Sequence, residues 1–335
     1  MASQRRPVPV SLAAQSWGDL AAARMPPNWL GRVWESDAHS VLLVDQEGQI
    51  VRLVTETIGD GPFHIVVPGE AVERWEQLPR NLYCWRVGSE LWFGDAFTLH
   101  LPSTRPWEST LTWDRDVLDV DETIIARRLA LLGDWLLARA PEGSIPGVLP
   151  ELLASIASGS PLGKAADRPD LPLNARLFRW RSARVLGGFL PALASGDLAA
   201  AETAVNSLAG LGAGSPPAGD QFLLGLIAGV YLWPEFLSEG SGLNAPSLVQ
   251  RLARSVAERT SLLGDATLRA ALDGRWEGRW HTLRDALVAM DSRPHDLQER
   301  VETVAAEWLA QDEVTGSAAL AGVVVPFLWY QRFLT

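Results

Sequence analysis

Between Gly210 and Gly229 the chain reads GLGAGSPPAGDQFLLGLIAG, the stretch whose residue types best suit chemistry. Gly210, Gly212, Gly214 and Gly219, together with Pro216 and Pro217, make a loop that runs into Asp220 and then an unbroken apolar segment. Glycine tolerates positive φ and lets another group come close to the main chain. A glycine-rich loop feeding a helix start gathers unpaired N–H groups at the positive end of the dipole, a setting for a small carboxylate or phosphate. Ser215 and Gln221 complete the candidate ligand-binding set in this stretch. The loop is not a nucleotide phosphate loop. Gly214 and Gly219 have the G-x4-G interval, but Asp220-Gln221 replaces the Lys-Ser/Thr that would meet phosphates and magnesium. The G-x-G-x-x-G pattern with its downstream ribose-binding acid is also missing.

Asp220 admits two readings. Its carboxylate caps the helix that follows, worth about 1 kcal/mol, or it acts as a functional group toward a metal, a substrate amide or a carbamoyl NH2 and is the candidate catalytic residue. Gly225 and Gly229 are explained by close helix packing. Arg176, Arg179, Arg181 and Arg184 lie in NARLFRWRSARV, a predicted helix. They either recognise a dicarboxylate or phosphate, with Arg176 foremost, or form a solvated face paired with local acids. Lys164, the only lysine, sits in a Gly/Pro/Ser-rich stretch and reads as a loop residue. His39, His64, His100, His281 and His295 show no metal-ligand spacing, so no metal and no cofactor are expected. Cys84 lies in an apolar strand pattern and reads as buried rather than nucleophilic.

A second segment echoes the first. Thr315-Gly316-Ser317-Ala318-Ala319-Leu320-Ala321-Gly322 aligns with Ala218 to Gly225, with glycine, leucine and glycine at matching offsets. An apolar helix ending in Leu-Trp follows both, at Leu232-Trp233 and Leu328-Trp329. The echo places Thr315, Gly316 and Ser317 beside the loop in a pseudo-symmetric site, or it is a chance match in Ala/Leu/Gly-rich sequence.

The elements that hold these residues change character along the chain. From Gly31 to about Trp113, short β-branched or aromatic runs alternate with turn residues. Ser40–Val44, Ile50–Thr55, His64–Val67, Leu82–Val87, Leu91–Phe93 and Ala96–Leu101 are predicted strands of a small barrel or sandwich. From Asp121 the period becomes helical, through Ile124, Ile125, Leu129, Leu132, Leu136 and Leu137, with Asp119 or Asp121 as cap. Ala140 to Asp170 reads as a connection with one short helix. Leu297, Val301, Val304, Ala305 and Trp308 form a second helical stripe. The expected fold class is α+β, with a β-rich domain over 1–115 and a mostly helical domain over 116–335.

Composition bounds the function. Formal net charge is −11, with 40 acidic and 29 basic residues, which argues against nucleic acid or an anionic membrane as partner. One cysteine excludes an internal disulfide and fits a cytoplasmic setting. Arg5 and Arg6 precede prolines rather than an apolar leader, and the longest apolar runs, Phe222 to Trp233 and Ala318 to Tyr330, read as buried core helices. The 15 tryptophans follow no periodic motif and read as packing residues.

GLGAGSPPAGDQFLLG resembles the signature of the AllH-like proteins, roughly GLGPGLTPSGDDFLxG. Gly61-Pro62-Phe63-His64-Ile65 is similar to that family's GPxxI, Thr260 to Gly274 to its TTxxSxxLLxxAxxG, and Thr315 to Gly322 to its SGxDxLAG. The resemblance implies a subunit made alongside FdrA-type partners in allantoin and purine catabolism. It also implies an assembly associated with oxamate carbamoyltransferase, interconverting oxalurate and phosphate with oxamate and carbamoyl phosphate. A non-catalytic scaffold and a stand-alone binding protein are the alternatives. Pro216, Ala218, Gln221 and Ala318 stand where the pattern has Thr, Ser, the second Asp and an acid.

Overall fold

The computed structural model describes residues 10–76, 78–159, 168–237, 244–256, 259–289 and 294–333. The chain divides into two compact units, Met1–Leu111 with Arg275–Trp280, and Thr112–Gly274 with His281–Thr335. The architecture is α+β, as the sequence predicts.

Among the described residues the first unit is built on nine strands: Val10–Ala13 (β1), Ser16–Trp17 (β2), Leu30–Ser36 (β3), Ser40–Asp45 (β4), Ile50–Thr55 (β5), His64–Val67 (β6), Tyr83–Val87 (β7), Glu90–Phe93 (β8) and Phe97–His100 (β9). They form one curled half-barrel sheet in the order β1-β9-β8-β7-β3-β4-β5-β6-β2. β5–β6 and β1–β9 pair parallel; the other neighbours pair antiparallel. SVLLVD and IVRLVT are buried along nearly their whole length, which explains their continuous apolar runs in place of alternation. Asp45 turns the chain between them, its carboxylate accepting from the Glu47 and Gln49 amides at 2.9 and 2.8 Å. Asp19–Arg24 (α1) and Val72–Trp75 (α2) complete the unit, and Trp75, Val41, Leu43, Phe93 and Phe97 sit in its core.

The second unit comprises the helices Arg115–Leu118 (α3), Glu122–Arg139 (α4), Ile145–Ser158 (α5), Leu173–Ser195 (α6), Leu198–Leu208 (α7), Ala218–Leu232 (α8), Ala245–Val256 (α9), Leu262–Leu272 (α10), Gly278–Val288 (α11), Pro294–Gln311 (α12) and Glu313–Phe333 (α13). The first turn of α11 is counted with the first unit. Asp121 caps α4, accepting from the Thr123 amide at 2.8 Å; Asp119 instead takes a left-handed conformation and closes α3. The helix expected between 140 and 170 is α5, 14 residues long and starting at a proline-containing first turn. Lys164 lies outside the described residues.

α8 and α13 form the centre of this unit. They run parallel: Gly214 touches Thr315 at one end, and Trp233 packs edge-on against Phe327 at 5.0 Å at the other. A Cβ on Gly225 would collide with the Ala319 carbonyl, and a Cβ on Gly322 with the Phe222 carbonyl. The two contacts are reciprocal, each glycine meeting the carbonyl three residues before its counterpart. The sequence echo is therefore a structural pseudo-symmetry. By length and composition α13 could cross a membrane, yet 78% of its apolar window is buried in this core.

Glycine is ordinarily the poorer helix former, so alanine would stabilise an exposed site. Here Gly225→Ala and Gly322→Ala are each expected to lower the unfolding free energy by about 1–3 kcal/mol, because the added methyl overpacks against main chain. The urea midpoint reads this directly, and an unchanged or raised midpoint would contradict the close approach.

Candidate functional site

The glycine-rich loop closes on Asp220 rather than opening toward it. Gly210, Gly212 and Gly214 have φ of 70°, 91° and 108°, and the Ser215–Pro216 bond is cis. Each glycine answers a specific crowding: Gly210 passes the Arg259 carbonyl, Gly212 lies against the Phe178 ring, and Gly214 against the Thr315 methyl. The loop is thereby seated among the starts of α6, α10 and α13.

Asp220 is the third residue of α8 and fully buried. One carboxylate oxygen accepts from the Gly210 amide at 2.9 Å, and the other accepts from the Thr260 hydroxyl. A Cβ on Gly264 would strike both oxygens of the Asp220–Thr260 pair, so that glycine is what admits the contact. Asp220 does not cap its own helix: Pro217 is the N-cap and supplies no side-chain bond. Burial pushes the Asp220 carboxyl above the usual range, and the Thr260 and Gly210 hydrogen bonds partly offset this.

The expected amide cradle at the helix mouth is occupied by the loop itself. The Ala218 amide donates to the Ala213 carbonyl at 3.1 Å, and the Gly219 amide to Leu211 at 2.8 Å. The exposed donors lie farther upstream. Gly212, Ala213, Gly214 and Ser215 are solvent-exposed, and among the described residues the amides of Gly212, Ala213 and Gly214 donate to nothing.

Of the remaining predicted residues, Thr315 is brought to the loop at Gly214. Gly219 and Gly316 press against the carbonyls of Leu208 and Trp308. Ser317 is buried and donates to the Val314 carbonyl at 3.1 Å, and Gln221 is buried within the packing of α8. Phe178, not Arg176, is the α6 side chain that meets Gly212; Arg176 starts from a different helix face, about 200° around. Arg179 is a structural group, buried and donating to the Glu142 and Gly147 carbonyls at 2.6 and 2.7 Å and to the Glu151 carboxylate. The departures at Pro216, Ala218, Gln221 and Ala318 all fall on buried positions.

A second polar cluster lies in the first unit. His64 is buried, its Nδ1 2.8 Å from the Gly59 carbonyl and its Nε2 3.7 Å from the Glu277 carboxylate. Arg279 donates to the other Glu277 oxygen at 2.8 Å, and Gly61 clears room for the imidazole. Burial lowers the His64 pKa despite the nearby carboxylate. Burial alone would raise Glu277, but the Arg279 guanidinium foremost, with Arg52 behind it, outweighs this and holds the carboxyl low. Sequence reasoning missed Glu277. Its signal was the paired Arg-Trp of RWEGRW at 275–280, just past the resemblance at Thr260 to Gly274. Cys84 is buried, its thiol pushed up to about 12, as its strand pattern predicts.

Asp220→Asn keeps one oxygen to accept from the Gly210 amide and places an NH2 that can donate to the Thr260 hydroxyl oxygen, so it is expected to fold with stability near wild type. Asp220→Ala leaves the Gly210 amide and Thr260 hydroxyl unsatisfied and should cost about 1–3 kcal/mol; equal losses for both would show that the charge itself is required. The folded protein refuses a proton at His64 that the unfolded chain takes near the ordinary value of 6.5. Stability therefore falls as pH drops below that value, and Glu277 adds to the loss on further acidification. His64→Gln should flatten the upper part of this profile in urea unfolding at pH 7 and pH 5; an unaltered slope would refute it.

No curated protein and no solved structure matches the chain. Residues 208–325 match the family model described as oxamate carbamoyltransferase subunit AllH. That segment runs from the last residue of α7 into α13, ending at Val325, and holds the loop, Asp220, Thr260 and Thr315. The resemblance read from the glycine-rich loop is borne out, and over these residues the chain is AllH-like.

Proposed function

We propose that the chain serves as an AllH-type subunit of a carbamoyltransferase-type catabolic assembly, and that its exposed Gly212–Gly214 main chain receives a small carboxylate or phosphate. The observation that carries the reading is a family match whose first residues hold a loop with outer amides that are exposed and, among the described residues, without acceptors. Three adjacent N–H groups held by positive-φ glycines suit an anion of the size of oxamate, oxalurate or carbamoyl phosphate. Asp220 acts as the loop's internal anchor: both oxygens are engaged and it has no surface, so it positions the main chain rather than touching substrate. FdrA-type chains are the proposed partners, and the proposed setting is cytoplasmic.

A scaffold role has its own support, since the first amides of α8 are already bonded to the loop. Isothermal titration of the full chain with oxamate, oxalurate, carbamoyl phosphate and inorganic phosphate separates the two readings. Saturable heat with at least one is expected, weakened by Gly264→Ala, which disturbs the Asp220–Thr260 anchor beneath the loop. Silence toward all four leaves the scaffold as the answer.

A further inference from the structure

The α6–α7 hairpin carries a surface unlike a solvated one. Leu173, Leu177 and Trp180 on α6 are 68%, 49% and 49% exposed and fall at i, i+4 and i+7, one continuous apolar stripe. Beside it runs a groove of about 910 Å³ between the two helices. Its α7 wall is Ala199, Ala200, Thr203, Ala204 and Ser207, small side chains where a solvent-facing helix ordinarily carries long charged ones, with Asp197 at its end, whose carboxylate caps α7 by accepting from the Ala200 amide. Its α6 wall is Trp180, Arg181, Arg184 and Gly188. Arg184 lies 5.5 Å over the Trp180 ring, and among the described residues neither Arg181 nor Arg184 meets a carboxylate. In a chain with 40 acids to 29 bases, two exposed arginines with no carboxylate partner among the described residues, beside an exposed tryptophan, call for a ligand.

We infer that this groove seats an amphipathic helix of a partner protein, its apolar stripe on Leu173, Leu177 and Trp180 and its acidic flank against Arg181 and Arg184. A helix fits because small residues on a facing helix permit close axial approach, and apolar anchors at i, i+4 and i+7 match helical spacing. The acidic flank follows from the two arginines, which bind carboxylates bidentately. A second copy of this chain is disfavoured, since each carries a net charge of −11. The groove reaches Leu211, adjacent to the exposed Gly212, so the seated helix would border the loop. This deepens the subunit reading by locating a partner, and it stands or falls separately from anion binding.

The test uses the full chain and two labelled synthetic helical peptides that share one leucine stripe, flanked by glutamates in one and lysines in the other. Fluorescence anisotropy should show the glutamate peptide binding about tenfold or more tightly than its lysine counterpart. Arg181→Glu with Arg184→Glu, both exposed and remote from the core, should reverse that preference. Trp180→Ser should abolish binding of either peptide. Equal binding of both peptides, a preference that survives the charge reversal, or no binding of the glutamate peptide would overturn the proposal. So would a concentration-dependent dimer in sedimentation that Trp180→Ser dissolves, which would give the groove to a second copy.

Discussion

The second unit depends on how closely α8 and α13 approach. Two helices usually keep their axes 8–10 Å apart because side chains intervene. Here Gly225 and Gly322 each remove a side chain at the crossing, and each receives the partner helix's carbonyl. Because the helices run parallel, their starts are brought to one end. That is why a loop at residue 214 meets a threonine at 315, a hundred positions later in the chain. The pseudo-symmetric packing thus creates the place where the predicted site residues gather.

What gathers there is a loop fixed by an internal acid. Asp220 reaches back to the Gly210 amide and across to the Thr260 hydroxyl, joining the loop, α8 and the approach to α10. A buried carboxylate is tolerated when its oxygens are satisfied, and its raised pKa reflects the burial that remains. The bonded amides at Ala218 and Gly219 move the exposed donors from the helix mouth to the loop tip. The polar groups missing from the family pattern would have occupied buried positions at Pro216, Ala218, Gln221 and Ala318. Their absence alters the interior beneath the loop and leaves its outer main chain intact.

Much of this was legible in the sequence. The strands from Ser40 to Leu101 declare themselves through β-branched runs between turn residues, and Asp121 and the Leu297–Trp308 stripe mark their helices as helices. β1 and β2 were not legible, since four and two residues carry too little pattern, and their pairing with β9 and β6 is long-range. The partners of Asp220 were hidden for a similar reason: a capping acid and a bridging acid have one local sequence, and only the position of Thr260 distinguishes them. Glu277 and His64 lie far apart in the chain and meet only because 275–280 joins the first unit. The tryptophans read as packing residues include Trp85 and Trp180, which are 37% and 49% exposed. Composition says nothing about which tryptophans a fold leaves uncovered.

The most direct test follows backbone amide resonances by nuclear magnetic resonance as oxamate or phosphate is added. The account predicts concentration-dependent shifts at Gly212, Ala213 and Gly214, with Ala218 and Gly219 nearly still because their protons already have acceptors. Shifts centred on Ala218 to Asp220, or no shift anywhere in the loop, would contradict it.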